Sequence, residues 1–426
     1  MINDKKFAYV VLSIFYILSI FSTNYIFTSE LLGFSYEKSG NWPELVYYIL
    51  IFISIIVFYE IILNRSKPIL PKTLLIYLSL TILFSSINSL FQNSFIPALN
   101  FTLLALSILI IYSYIYNKTI KKNDFNFITY IMLINLVLLV ISYLFGHSKI
   151  YDYSLLKNVE FNRPFIQDGF TWFRYQGIFA GANSLGRIFA LSYIISIIYF
   201  LEKGINGKLF ITSLIIIIGS ILMVFASNSR TALLISASVT LFYLYYRNNI
   251  DKASLVKLIK KPSIFILLIL LLIISLSIGF SGLDAALSKF TESSWKGISS
   301  NRFMFWSEAF KHINIVGYQD FLSETTVCSR YKSERVCGVH NNYIHQMLKF
   351  GIIPAFLFTL IIFYHLFSGI KNYKNNNSFY GIICSSMALY LLIFYIFETG
   401  ATVTAFWFMI ISGALMNAER KNEKSN

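Results

Sequence analysis

Apolar stretches of about 20 residues recur from one end of this chain to the other, each long enough to cross a bilayer as an α-helix. That pattern excludes most folds. Within hydrocarbon every backbone polar group must be satisfied by the spanning structure itself, which leaves helices or closed barrels. Barrel strands would read as segments of roughly ten residues with apolar and polar positions alternating. Here the runs are continuous, as in Leu214–Ile218 and Ile264–Ile274. With 56% hydrophobic and 13% charged residues, the chain also lacks the polar surface of a soluble domain. The expectation is an all-α integral membrane protein, a single polytopic domain over 1–426.

About twelve spans are expected, at 7–27, 44–63, 70–88, 95–115, 125–145, 177–201, 208–226, 230–246, 263–281, 343–367, 378–396 and 399–417. The first follows Lys5 and Lys6 like a signal peptide, but no small-residue cleavage site follows it, so it reads as a retained span. Lys118, Lys121 and Lys122 share one loop; Arg247, Lys252, Lys257, Lys260 and Lys261 share another. Placing these loops and both termini in the cytoplasm satisfies the bias of basic residues toward the inner face. The net charge of +15 is then a membrane-topology signal, and nucleic acid is not an expected partner.

Two outer connections are long, 146–176 and 282–342, and long connections are usually functional. In the second, Asn301 can cap a helix running to about Ile313. Its Phe303, Trp306, Phe310 and Ile313 fall at helical spacing. Such a helix either lies on the membrane surface or packs over the bundle. Cys328 and Cys337 share this loop, and an oxidising compartment would favour a disulfide between them. Cys384 falls inside an apolar run and reads as inert. No Cys/His spacing fits a zinc site. The tail, 418–426, reads as a disordered cytoplasmic segment.

The charged groups at the outer face carry the candidate chemistry. Arg174 ends the first long loop. Asn183 and Arg187, four apart, share a face of the sixth span, with Arg187 expected two to three turns deep. An arginine at that depth lines a cavity or meets a partner, unless it snorkels outward or pairs with Glu398. Ser229 can cap the next helix and so puts Arg230 in its first turn, where a cation opposes the helix dipole. A bound anion would gain from both the arginine and the unpaired N–H groups; the ordinary alternative is a lipid phosphate. Arg302 opens the amphipathic segment, equally readable as a solvated charge. His340 leads into the tenth span beside Asn341 and Tyr343, and can accept a proton from a hydroxyl. On a continuous helix His345 would point about 140° away from it. Outer aromatics, among them Trp42, Trp172, Tyr175, Trp295 and Trp306, could stack on sugars, although an interfacial belt explains most of them.

Arginines beside a potential base suit a lipid-linked diphosphate donor and a hydroxyl acceptor. The residues also resemble a known family. The pattern Arg174-x-x-Gly-x-Phe with Asn183 comes first, followed by Ser229-Arg230-Thr231-Ala232-Leu233-Leu234. Then come Arg302-x-x-x-Trp306-x-x-Ala309 with Gly317, and His340-Asn341-x-Tyr343 with Gly351. In this order they resemble the O-antigen ligase/O-antigen polymerase superfamily. The likeness covers about residues 170–355. One departure is Ala180-Gly181-Ala182-Asn183, where family members often carry Asn-Pro-Asn.

The resemblance implies a metal-independent, cofactor-free glycosyltransferase of the GT-C kind, acting at the periplasmic face of a bacterial inner membrane. Its donor would be an oligosaccharide on undecaprenyl diphosphate. Arg174, Arg230 and Arg302 would hold the diphosphate, with Arg187 added by its place on the sixth span. His340 would be the catalytic base, and Asn183, Asn341 and Tyr343 would orient the substrates. A chain-length regulator and a flippase are the implied protein partners. The Phe, Ile and Tyr bias resembles the polymerases, which extend a lipid-linked glycan, more than the ligases, which transfer it to lipid A core. A transporter or flippase of lipid-linked sugars is the rival from another class, but it would usually show pseudo-symmetric halves and midplane charges.

Overall fold

The computed structural model describes residues 4–23, 70–92, 96–116, 125–148, 179, 182–204, 207, 209–227, 229–247, 302–318, 328–331, 334–337, 341–398 and 403–425. Its elements are α1 (Asp4–Thr23), α2 (Lys72–Phe91), α3 (Ile96–Tyr116), α4 (Asn126–Ser148), α5 (Ala182–Lys203), α6 (Phe210–Ala226), α7 (Arg230–Arg247), α8 (Arg302–Phe310), β1 (Cys328–Tyr331), β2 (Glu334–Cys337), α9 (Asn342–Phe350), α10 (Ile352–Asn376), α11 (Phe379–Phe397) and α12 (Val403–Ser425). The helices Lys72–Phe91, Asn126–Leu144, Asn183–Lys203, Ile352–Asn376 and Phe379–Phe397 are each long and apolar enough to cross a membrane. The chain is a multi-pass helical membrane protein. Its contacts divide it into two compact units.

One unit holds α1–α3 and α8–α12. Around α10 pack α2, α11 and α12, and α12 also packs on α3 and α1. Asn377 turns the chain in the left-handed conformation, and Ser378 then caps α11 by accepting from the Gly381 N–H at 3.1 Å. The return crossing is tight because both sides are small. A Cβ on Gly369 would stand 2.5 Å from the Gly381 carbonyl oxygen. Close backbone approach of this kind replaces the hydrophobic drive that lipid removes. Deeper in, the Nδ1 of His365 donates to the Ile361 carbonyl at 2.7 Å, so its Nε2 accepts from the Tyr112 hydroxyl, also at 2.7 Å. That bond ties α3 to α10 beside Gly413 of α12, where a Cβ would meet the same hydroxyl at 2.6 Å.

The other unit holds most of α4 with α5, α6 and α7. α5 packs on both α6 and α7. Gly219 of α6 accommodates Leu139 of α4, and Gly186 of α5 accommodates Ser227, Ser229 and Ala232. At the opposite end of α5, Glu202 accepts from the Tyr243 hydroxyl at 2.7 Å.

Ten of the twelve expected spans fall on described helices; 44–63 and 263–281 lie outside the described residues. Three expectations are corrected. The span 343–367 is two helices, broken at Gly351. The amphipathic helix stops at Phe310, three residues early, where Lys311 and His312 close a turn. The tail is no disordered segment, since α12 continues to Ser425. Glu419 is buried and accepts from Ser378 Oγ at 2.6 Å, and Lys421 lies 4.4 Å from the centre of the Tyr116 ring. These tertiary partners hold a segment whose composition alone would leave it in water.

Candidate functional site

Asn341 explains where α9 begins. Its backbone is extended, and its side-chain oxygen accepts from the Ile344 N–H at 3.0 Å. It is therefore the N-cap, and His340 precedes the helix. The expected relation between His340 and His345 rests on a residue outside the described ones. His340 itself lies outside the described residues, as does Arg174. Tyr343 sits in the first turn of α9 and donates to the Leu392 carbonyl of α11 at 3.0 Å. Its ring lies edge-on to Tyr395. The phenol anchors α9 to α11, a structural role that its place in the motif does not announce. Burial and the neighbouring Tyr395 raise its pKa above the ordinary phenol value. His345 is held neutral, its pKa pushed down to about 4 by burial and then by the charge on Lys349.

α9 ends abruptly, and the break is fully stitched. Gly351 adopts φ +87°, a backbone conformation that L side chains rarely take. A helix end leaves its last carbonyls without partners. Here Leu348 O accepts from Tyr318 N at 2.7 Å, Lys349 O from Gln92 Nε2 at 3.3 Å, and Phe350 O from Asn88 Nδ2 at 2.7 Å. Gln92 and Asn88 also reach the carbonyls of Val316 and Ile315, at 2.7 and 3.4 Å. The end of α2 thereby joins the segment after α8 to the end of α9. Irregular backbone next to a membrane span is tolerated when buried in protein and satisfied in this way.

α8 packs on α9 through one apolar cluster. Ala309, Ile344 and Leu348 are buried together, and Trp306, Ile313 and Tyr318 cover them. The motif residues Trp306, Ala309, Gly317 and Gly351 therefore belong to one packing knot. Of the two placements weighed for the amphipathic segment, packing over the bundle describes its Ala309 side, while Phe310 stays exposed. At its end, Lys311 donates to Glu308 at 2.7 Å, which with His312 holds that carboxyl below its usual pKa. Arg302 is the first residue of α8.

The second unit gathers Asn183, Arg187 and Arg230 at one end of α5 and α7. α5 starts at Ala182, later than expected, so Arg187 is the sixth helical residue and lies in its second turn. That corrects its depth. Its side chain folds back along the helix: Nε donates to the Asn183 carbonyl at 3.1 Å and a terminal nitrogen to Ser184 Oγ at 3.3 Å. Ser229 caps α7, accepting from the Ala232 N–H at 3.4 Å, and Arg230 is the first helical residue.

The candidates thus share one local geometry. Asn183 and Arg230, like Arg302, lie in the first turn of a helix; Arg187 reaches back toward one, and Asn341 caps another. Chemically, such ends offer N–H groups and a partial positive charge to an anion. Among the described residues no group of three or more His, Cys, Asp or Glu is placed to hold a metal. Sequence reasoning missed Asn88 and Gln92. The signal was available: two amides stand at the end of a long, mostly apolar run, where each needs a partner.

No protein-family model matches the chain, and no curated protein matches it significantly. What the fold defines is the class, a multi-pass helical membrane protein.

Proposed function

We propose that the chain is a glycosyltransferase of about twelve spans that binds a lipid-linked oligosaccharyl diphosphate and extends it, as O-antigen polymerases do. The observation that carries this reading is that α7 and α8 each open on an arginine, Arg230 and Arg302. A cation at a helix N-terminus opposes the dipole, so the placement of these two guanidinium groups gains nothing from it. A bound diphosphate makes the same placement favourable, drawing on guanidinium and N–H donors together. Arg174 and Arg187 would join in neutralising the leaving group.

In this reading His340 takes the proton of the acceptor hydroxyl, and the hydroxyl oxygen attacks the anomeric carbon. The bond to the diphosphate breaks on the opposite face, which inverts the centre and releases undecaprenyl diphosphate. Asn341 fixes the start of α9 and so the end of the segment that carries His340. The acceptor would be a second lipid-linked repeat unit. A ligase uses the same steps with lipid A core as acceptor.

The test is the lipopolysaccharide of a deletion strain complemented with wild type or His340→Ala. A polymerase predicts a ladder with wild type and core plus a single repeat unit with the variant. Loss of all glycan from the core, with polymer left on the lipid carrier, would assign a ligase. A normal ladder in the deletion strain itself would exclude both.

A further inference from the structure

We propose that Cys328 and Cys337 are joined by a disulfide that staples the open end of the β1–β2 hairpin, a bond that stands whether or not the chain transfers glycans. The strands pair antiparallel with Tyr331 opposite Glu334, Arg330 opposite Arg335, Ser329 opposite Val336 and Cys328 opposite Cys337. Two residues separate Tyr331 from Glu334, so that pair closes a two-residue hairpin and is of the hydrogen-bonded kind. Bonded and non-bonded pairs alternate along an antiparallel ladder, which makes Cys328–Cys337 a non-hydrogen-bonded pair. Such pairs bring the two Cα atoms to about 4.5 Å, within the span a disulfide needs.

A second observation points the same way. Arg330 and Arg335 are directly opposite, and like charges in that relation weaken a ladder. A two-stranded hairpin is marginal in water even without that penalty. The cysteines stand two positions along both strands from the arginines, at the far end of the ladder from the turn, where a cross-link acts on the most easily separated pair. From Cys337 only three residues intervene before Asn341, the cap of α9. The staple would therefore hold one end of a short tether whose other end is already fixed. Cys384 takes no part, being buried within α11.

The step is a thiol–disulfide exchange. Both S–H bonds are lost and one S–S bond forms. The two electrons and two protons pass to a disulfide-bearing oxidoreductase of the extracytoplasmic compartment, which leaves as a dithiol. The experiment is alkylation of the full-length protein, extracted from native membranes into denaturant without reductant, then proteolysis and mass spectrometry. The expected result is alkylated Cys384 together with a Cys328–Cys337 linked peptide two hydrogen masses below the sum of its parts. Reduction should then expose both thiols to a second, isotopically distinct label. Two outcomes overturn the proposal: first-label alkylation of both Cys328 and Cys337, or either of them linked to a second copy of the chain.

Discussion

A Cβ placed on Gly317 would come 2.6 Å from the backbone nitrogen of Gly351, and both glycines hold positive φ, +80° and +87°. The loop after α8 and the break between α9 and α10 touch backbone to backbone. No side chain fits between them. In this way the segment opened by Arg302 is kept in register with the helix that follows His340.

Substitution of Gly351 should therefore be costly for two reasons at once. Gly351→Ala forces an L side chain into the left-handed region and against the Ile315 carbonyl, and about 2–4 kcal/mol of stability should be lost. Gly204 is the control: its φ is also positive, but nothing lies within 4 Å of an added Cβ. Gly204→Ala should cost about 1 kcal/mol. Thermal unfolding in detergent would rank the two.

Asn88 should matter through its amide hydrogens. Asn88→Ala removes the donor to the buried Phe350 carbonyl and should destabilise by about 1–3 kcal/mol. Asn88→Asp keeps the shape but substitutes an acceptor that faces two carbonyls, and should be worse than alanine. An aspartate variant as stable as wild type would show that the amide does not hold this junction.

His345 makes stability depend on pH. Its folded pKa, about 4, lies below the ordinary 6.5, so between these values the unfolded chain binds the extra proton. Stability from this group is fully present above about pH 6.5 and falls as the solution is acidified toward 4, by about 3 kcal/mol in all. His345→Gln should flatten that part of the profile, measured as melting temperature against pH.

Arg230 should separate stability from function. Arg230→Ala removes a cation from the first turn of α7, and stability should change by less than about 1 kcal/mol. Glycan transfer should fall on the order of 100-fold if the guanidinium stabilises the departing diphosphate. Arg230→Lys should restore only part of it, since an ammonium lacks the bidentate fork.

Much of the helical plan is legible in the sequence, because a continuous apolar run has little choice but to be a helix in lipid. The Ser229 cap was readable for the same local reason: a short polar side chain stands just before a helical run. The break at Gly351 was not. Residues 343–367 are apolar enough to read as one helix, and the break depends on donors from Asn88, Gln92 and Tyr318, distant in sequence. The tail misled for a similar reason, because its order rests on Ser378 and Tyr116. Tyr343 reads as part of a motif and not as an anchor, since its partner is the carbonyl of Leu392, distant in sequence. The β1–β2 hairpin left no clear sign, as its strands are four residues each with charged side chains in their middle.

The most direct test of the account is a transfer assay with the purified protein and a lipid-linked repeat unit. Wild type should lengthen the glycan and release undecaprenyl diphosphate. His340→Ala, with an unchanged melting temperature, should do neither. Transfer by the variant at the wild-type rate would remove His340 as the base. Movement of the lipid-linked sugar across vesicles containing wild-type protein, with no new glycosidic bond, would contradict the central claim and make the chain a transporter.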